Sequence, residues 1–246
     1  MENRIEGHQW PIGLKLLRDL RSYYHGSRDR DQSEFYDLES SLPYFDQVSW
    51  ILGRHKRQVI LEFLLGSHTR EEPLLEVGCG IGTLARVLAR RGEWVIALDI
   101  SARKIARAPG LGSGGSGSID YHVGDLRELG QKGPLDAALR RSLGGKALGF
   151  RRIIACDVLE HLPIEPAETV RKLRDLLLPG GQLIASVPSR LCLGDPGHIW
   201  RLLPADWEEV FRASGLRVLG RRMSRIYCYR LRTPLPLAMV FDLRRN

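Results

Sequence analysis

The chain has 246 residues, of which 43% are hydrophobic and 27% are charged, and its formal net charge at pH 7 is +8. This length and composition can bury a full core, which predicts one domain with elaborations. The sequence has no apolar run of membrane-spanning length, and charges interrupt the N-terminal segment where a signal peptide would be apolar. It therefore predicts a soluble, cytoplasmic protein without a transmembrane segment.

The four cysteines are widely scattered and show no C-x-x-C spacing, which argues against a disulfide framework or a structural zinc site. Eight arginines follow Leu216, against one acid, Asp242. Such a basic segment could face nucleic acid, a phosphorylated substrate or a membrane surface. Arginine also outnumbers lysine throughout the chain, so a general compositional preference is the favoured explanation.

Residues 1–70 are predicted to form a helical N-terminal extension. Within it, the apolar residues of segment 48–65 recur mostly at steps of three and four, which predicts an amphipathic helix packed on the main sheet. Segment 33–47 mixes aromatic residues with acids. It could form a lid over a pocket or an exposed helix pair.

From Glu72 onward, short apolar runs alternate with amphipathic segments, which predicts a parallel sheet with helices on both faces. Candidate strands are 74–77, 94–99, 119–123, 152–156, 182–187 and 216–220. Candidate helices are 83–91, 102–108, 166–178 and 204–214. The main domain is expected at 71–232, with the glycine-rich segments 110–118 and 130–150 decorating its rim. Residues 233–246 are a basic tail that could rest on a membrane surface or complete the last strand of the sheet.

One segment, 73–101, contains a strand, a glycine loop, a helix, a second strand and an acid in that order. Gly78, Gly80 and Gly82 let the backbone approach a ligand closely at the start of a helix. Asp99 ends the second strand, where a carboxylate can accept hydrogen bonds from both hydroxyls of a ribose. The unit therefore predicts a ligand of the adenosine type.

The glycine spacing distinguishes between two such cofactors. Nicotinamide dinucleotides prefer G-x-G-x-x-G, which places a pyrophosphate at the helix N-terminus. Here the spacing is G-x-G-x-G, and Glu76 precedes it. A carboxylate would repel a pyrophosphate but attract a ligand that carries an ammonium and a sulfonium group. The loop therefore favours S-adenosylmethionine.

Four motifs in order resemble the class I S-adenosylmethionine-dependent methyltransferases, in particular the small-molecule branch with the ubiquinone and menaquinone biosynthesis enzymes. They are the E-x-G-x-G-x-G loop at 76–82, YHVGDLRE at 121–128, IIACDVLEHLP at 153–163 and LLLPGGQLIASVPS at 176–189. The resemblance covers roughly residues 45–225 and implies a Rossmann-like fold with a mostly parallel seven-stranded sheet. The cofactor-binding residues that it implies are Glu76, Gly78, Cys79, Gly80, Gly82, Asp99, Ile100, Asp125, Leu126, Cys156 and Asp157. Asp125 is expected to contact adenine, with an ordinary turn residue as the alternative.

Methyl transfer from a sulfonium is an in-line displacement, so the protein has to align the acceptor and, for an oxygen acceptor, help to remove a proton. Glu160 and His161 follow the fourth strand, and His161 is the candidate base. Alternatively, these two residues hold the loop. A divalent metal is a further alternative, with Asp157, Glu160, His161 and His198 as ligands. This set resembles the E-x-x-E-H and distal histidine of some relatives, with Asp157 in place of a glutamate.

The leading prediction is methyl transfer from S-adenosylmethionine to a small-molecule acceptor, with oxygen favoured over nitrogen or carbon. An RNA methyltransferase is one alternative, supported by the basic tail. It is opposed by DVLEH, which stands where an N-P-P-Y motif is expected. The other alternative is a regulatory module that binds the cofactor without catalysis. Trp200 could stack on a planar acceptor or cap the core.

Overall fold

The computed structural model describes residues 36–37, 53–65, 72–109, 116–190, 198–228 and 233–246. The strands are β1 (Leu74–Val77), β2 (Trp94–Asp99), β3 (Ser118–Val123), β4 (Phe150–Cys156), β5 (Leu177–Pro188), β6 (Leu216–Cys228) and β7 (Thr233–Arg245). The helices are α1 (Arg54–Leu64), α2 (Thr83–Ala89), α3 (Ala102–Arg107), α4 (Pro134–Ser142), α5 (Pro166–Leu176) and α6 (Pro204–Ala213), with 3₁₀ turns at Leu126–Glu128 and Leu159–His161.

The seven strands form one sheet in the order β3-β2-β1-β4-β5-β7-β6. β1 pairs in parallel with both β2 and β4, whereas β7 is antiparallel to β5 and β6. The strand order reverses between β1 and β4, which opens a crevice at their carboxyl ends where such sheets bind ligands. The predicted Rossmann-like, mostly parallel seven-stranded sheet is confirmed.

Helices pack on both faces of the sheet, and β1 and its neighbours are therefore buried on both sides. Leu75 and Val77 belong to one apolar cluster and Leu74 to a second one. Buried residues of α4, α5 and α6 complete the first cluster, and those of α1, α2 and α3 complete the second.

Within the predicted amphipathic segment 48–65, residues Arg54–Leu64 form α1 and pack against the second cluster as predicted, whereas 48–52 lie outside the described residues. The buried side chains of α1 are Val59, Ile60 and Leu64, whereas Leu65 is 56% exposed. The helix is fastened to the sheet because Nε2 of Gln182 on β5 donates to the Phe63 carbonyl at 3.1 Å. Among the described helices, none is long and apolar enough to cross a membrane.

The prediction that segment 130–150 only decorates the rim is wrong. Its centre forms α4, whose Leu135 and Leu139 are buried in the first cluster. Pro134 occupies the first turn, where its missing N–H costs nothing, and the glycines flank the helix without interrupting it. Of the other glycine-rich segment, residues 110–115 lie outside the described residues, and Ser118 begins β3.

The basic C-terminal segment is part of the sheet, so a domain boundary at residue 232 would divide it. β7 inserts between β5 and β6, which confirms the alternative that this segment completes the sheet. Ala238, Val240, Phe241 and Leu243 are buried. Because both faces of β7 are covered, its side chains lack the apolar–polar alternation that identifies a half-buried strand.

Candidate active site

The glycine loop between β1 and α2 folds back onto the end of β2. The amides of Gly78 and Cys79 donate to the Leu98 carbonyl at 2.8 and 3.0 Å. The Gly80 amide donates to Oδ2 of Asp99 at 2.7 Å. The loop and the acid that the sequence placed at the ligand edge therefore form one hydrogen-bonded unit.

The three loop glycines all have positive φ angles, at 70°, 58° and 72° for Gly78, Gly80 and Gly82. A Cβ atom on Gly78 would collide with Val158, and one on Gly82 would collide with Tyr121. At Gly80, in contrast, a Cβ atom would meet no atom of the described residues within 4 Å. Gly80 therefore borders open space, which is where a ligand can approach the backbone.

Glu76 lies beneath this loop and is 5% exposed. Its Oε2 atom is buried and has no hydrogen-bond partner among the residues that the structure describes. Burial, followed by repulsion from Asp99, raises the pKa of the Glu76 carboxyl to about 8. Such a group is protonated at neutral pH and becomes an anion when a cation binds beside it.

Asp99 is 8% exposed, and both of its carboxylate oxygens accept backbone hydrogen bonds. Oδ2 accepts from Gly80, and Oδ1 accepts from the Ser101 amide at 2.9 Å. Because each oxygen has a second lone pair, the carboxylate can still accept bonds from a diol. Ile100 follows it and is half-buried.

Asp125 caps the 3₁₀ turn after β3. Its oxygens accept from the amide of Arg127 at 2.8 Å and from Nε of the same residue at 2.7 Å. Leu126 is buried. The structure thus gives Asp125 a turn-forming role, and its contact with adenine stays a prediction.

The two cysteines expected to line the cofactor are poor nucleophiles. Burial raises the pKa of the Cys79 thiol well above its ordinary value. Burial also raises the pKa of Cys156 to about 12. Because only the thiolate is strongly nucleophilic, both residues fit the role of small lining groups.

Asp157, directly after β4, has a positive φ of 54°. Its amide donates to Oγ of Ser186 at 3.0 Å, and that hydroxyl donates to Oδ1 of Asp157 at 2.8 Å. Oδ2 forms an ion pair with Lys56 of α1. Desolvation, the largest single influence, would raise the pKa of Asp157, but the attraction of Lys56 and the hydrogen bonds with Lys56 and Ser186 together lower the pKa. Lys56 leaves no signal in the sequence, because no local pattern connects residues 101 positions apart.

Glu160, His161 and His198 lie together beyond β4. Glu160 is 1% exposed, and its Oε1 lies 4.0 Å from Nε2 of His161. The ring centroids of His161 and His198 are 4.9 Å apart. The segments are joined because the amides of Ile199 and Trp200 donate to the Glu160 carbonyl at 2.9 and 3.0 Å.

This group has the donors of a possible divalent metal site. The candidate ligand atoms of Glu160, His161 and His198 all lie within 4.8 Å of one another. One carboxylate and two imidazoles suit several divalent metals. Asp157, the fourth ligand considered from the sequence, bonds to Lys56 and Ser186 and is not part of the group.

Trp200 contacts both the turn after β4 and the first apolar cluster. Its indole N–H donates to the Leu162 carbonyl at 2.8 Å, and its side chain packs against the first apolar cluster. This arrangement favours the interpretation that Trp200 caps the core.

Two residues of the predicted lid segment, Tyr36 and Asp37, are described, and the rest of 33–47 lies outside the described residues. The Tyr36 ring centroid is 6.1 Å from that of His161 and 4.7 Å from Nζ of Lys104. Oδ1 of Asp37 accepts from the Arg103 amide at 3.1 Å. The two residues therefore connect α3, which follows β2, with the turn after β4.

The reversal of strand order, the glycine loop and the acid after β2 define the class of Rossmann-like proteins that bind an adenosine-containing ligand. A family described as "Methyltransferase domain" matches residues 53–223. The chain therefore belongs to this methyltransferase family.

Proteins of related sequence carry the name ubiquinone biosynthesis O-methyltransferase. The one from Xylella fastidiosa (strain 9a5c) is 36% identical over 142 residues, which is 53% of this chain and 50% of that protein. The one from Xanthomonas oryzae pv. oryzae (strain PXO99A) is 35% identical over 141 residues, which is 53% of this chain and 52% of that protein. The match thus spans about half the length of these relatives.

Two solved structures share the fold at low sequence identity. The magnesium protoporphyrin IX methyltransferase of Synechocystis PCC 6803 with bound S-adenosylmethionine has a TM-score of 0.62 and 16% identity, over 89% of this chain and 100% of that chain. The N-methyltransferase NodS of Bradyrhizobium japonicum WM9 with bound S-adenosylhomocysteine has a TM-score of 0.59 and 16% identity, over 92% and 98% of the two chains.

Proposed function

We propose that this protein transfers the methyl group of S-adenosylmethionine to an oxygen atom of a small-molecule acceptor. The observation that carries the cofactor assignment is Glu76, a buried carboxyl with an oxygen that lacks a hydrogen-bond partner among the described residues. It lies beneath a glycine loop that borders open space at Gly80. A cationic ligand with an adenosine part satisfies both features, whereas a pyrophosphate would be repelled.

Different residues of the chain are proposed to bind different parts of this cofactor. Glu76 receives the ammonium of the methionine part, Asp99 receives the ribose hydroxyls, and Asp125 receives the adenine. Cys79 and Cys156 line the site as neutral side chains. When bound, the cofactor supplies a methyl group that is already activated by the positive sulfur.

His161 is proposed to accept the proton of the acceptor hydroxyl. It lies just beyond the carboxyl end of β4, and 19% of its side chain is exposed, so an acceptor can reach it. Glu160 and His198 hold the imidazole in place through close packing. The O-methyltransferase names of the sequence relatives support an oxygen acceptor.

The proposed position of the cofactor beside Gly80 can be tested with two glycine variants of similar backbone strain. Gly80→Ala and Gly180→Ala each place a Cβ atom at a positive φ, 58° and 69°, with no other atom within 4 Å in the part of the chain that the structure describes. Each is expected to lower the free energy of unfolding by about 1–2 kcal/mol. Because only Gly80 borders the ligand side, only Gly80→Ala should weaken S-adenosylhomocysteine binding in a calorimetric titration, by about tenfold or more. Equal affinities of the two variants would contradict this pose.

The reaction itself is tested by measuring release of S-adenosylhomocysteine with phenolic, lipid and polynucleotide acceptors. Turnover of a phenolic or other small hydroxyl compound is expected. Turnover of polynucleotides alone would favour the RNA methyltransferase. Cofactor binding without turnover on any acceptor would favour the regulatory module.

An anionic partner of the C-terminal arginines also stays a proposal. Arg221 and Arg222 of β6 form ion pairs with Glu208 and Glu62, which fasten β6 to α6 and α1. Arg217 and Arg225 are exposed and could face an anionic partner. Salt-sensitive binding of RNA, DNA or anionic vesicles, lost on replacing these two arginines, would support such a partner.

A further inference from the structure

The first turn of α1 contacts the acceptor side of the sheet at two places. The imidazole Nδ1 of His55 accepts a hydrogen bond from the Arg225 amide of β6 at 3.1 Å. The next residue, Lys56, extends its ammonium group to Oδ2 of Asp157 at the end of β4. Adjacent residues of one helix thus connect the outer strand β6 with the turn that carries Glu160 and His161.

Lys56 is unusually enclosed for a lysine, since 17% of its side chain is exposed. Burial, the largest single influence, would lower the pKa of Lys56, but the attraction of Asp157 and Cys156 and the hydrogen bond to Asp157 together raise the pKa above its ordinary value. Glu160 adds to that attraction. Ordering and desolvating a lysine costs free energy. A lysine enclosed beside two acids at a ligand-binding edge is therefore a candidate for a functional role.

The docking of α1 does not depend on Lys56. Val59, Ile60 and Leu64 bury the rest of the helix, and the Phe63 carbonyl is bonded to Gln182. Near its other end, Glu62 forms an ion pair with Arg222. The Lys56 contact is therefore an addition to a helix that is already fixed in place.

Asp157 is the residue through which Lys56 reaches the reaction site. A non-glycine residue at positive φ is strained and persists where its surroundings over-determine it. Asp157 has a φ of 54°, and its carboxylate is held by Ser186 on one oxygen and by Lys56 on the other. The 3₁₀ turn that presents His161 begins two residues later, and the His161 amide donates back to the Val158 carbonyl at 3.0 Å.

We infer that Lys56 is a positioning residue for the methyl-transfer site, which fixes Asp157 and thereby the turn 157–161 that presents His161 to the acceptor. The expected effect on catalysis rests on the proposed function, whereas the fixing of the turn by Lys56 can be measured without cofactor or acceptor. Lys56→Met removes the cation and keeps much of the side-chain volume. Lys56→Arg keeps the cation. Glu62→Gln removes a second ion pair of α1, with Arg222, far from the turn and is the matched control.

Amide hydrogen exchange of the peptide 157–162, followed by mass spectrometry in the full chain, tests the inference without any substrate. In Lys56→Met this peptide is expected to exchange at least about tenfold faster than in the wild type. Lys56→Arg should stay within about threefold of the wild type, and so should Glu62→Gln. Unchanged exchange in Lys56→Met, or equal acceleration in Glu62→Gln, would overturn the inference. Thermal unfolding of each variant identifies any general loss of structure.

Kinetics supply the second readout. With an acceptor that the wild type methylates, kcat of Lys56→Met should fall by about tenfold or more, while the Kd for S-adenosylhomocysteine stays within about twofold. A loss of cofactor affinity with unchanged kcat would instead make Lys56 a cofactor-binding residue and overturn its positioning role. If the wild type methylates no acceptor, the proposed function fails, and the exchange measurement still decides the role of Lys56.

Discussion

Replacing Glu76 by glutamine is expected to stabilise the ligand-free protein and, at the same time, to remove most of its affinity for S-adenosylmethionine. Burial and the nearby Asp99 raise the pKa of the Glu76 carboxyl from 4.5 to about 8. The unfolded chain releases this proton near pH 4.5, whereas the folded chain keeps it until about pH 8. Folding therefore takes up a proton in this window, and stability falls as the pH rises through it.

The size of the effect follows from the linkage between protonation and folding. Each pH unit inside the window costs about 1.4 kcal/mol, which amounts to roughly 3 kcal/mol at pH 7. A glutamine side chain has no such penalty. Urea unfolding should therefore show Glu76→Gln to be more stable than the wild type by up to roughly 3 kcal/mol at pH 7, with the difference vanishing toward pH 4.5. Glu128→Gln, at an exposed position, is the control and should leave the free energy of unfolding within about 0.5 kcal/mol of the wild type.

The affinity for the cofactor should rise with pH, whereas the stability of the ligand-free protein falls. Below about pH 7.5 the amino group of the ligand is protonated, and it can pair with Glu76 only after that carboxyl has lost its proton. Wild-type affinity should therefore rise with pH, by at most about tenfold per unit, and binding should release a proton. Glu76→Gln should bind at least about 30-fold more weakly and without this pH dependence. Calorimetry in two buffers of different ionisation enthalpy measures both quantities. Equal affinities would contradict the assignment of Glu76 to the ammonium.

The parts of the fold that the sequence predicts well are those in which local pattern and tertiary role agree. The β1–α2–β2 unit follows directly from its glycine loop and its apolar strands. β7 does not, because burial on both faces removes the alternation that identifies a strand. α4 was obscured because the flanking glycines dominate the composition of its segment.

The candidate site likewise contains residues that the sequence predicts and one that it does not. The acid after β2, the turn after β4 and the glycine loop each leave a local signal, and topology brings them to one edge. Lys56 leaves none, because it is an ordinary lysine on an amphipathic helix, and only the folded chain places it on Asp157. Asp125 illustrates the opposite case, since its motif predicts adenine binding while its observed bonds go to Arg127.

Replacing His161 by alanine should lower kcat for methylation of an oxygen acceptor by about 10²–10⁴-fold, the usual contribution of a positioned general base. The glycine loop, Glu76 and Asp99 are untouched, so the Kd for S-adenosylhomocysteine should stay within about twofold of the wild type. His122→Ala is a suitable control. His122 lies on β3, its Nε2 is hydrogen-bonded to Oγ of Ser142 at 3.0 Å, and it takes no part in the proposed site. The kcat of this variant should be close to that of the wild type.

A metal-dependent reaction would give a different set of results, because His161 would then act together with Glu160 and His198. We expect activity to survive treatment with EDTA, since Asp157, the further ligand of the predicted set, is bonded to Lys56 and Ser186. We also expect His198→Ala to reduce kcat far less than His161→Ala, because in a base mechanism His198 only packs against the reacting imidazole. Loss of activity in EDTA with recovery on adding a divalent cation, together with an equally severe His198→Ala variant, would make His161 a metal ligand and not the base.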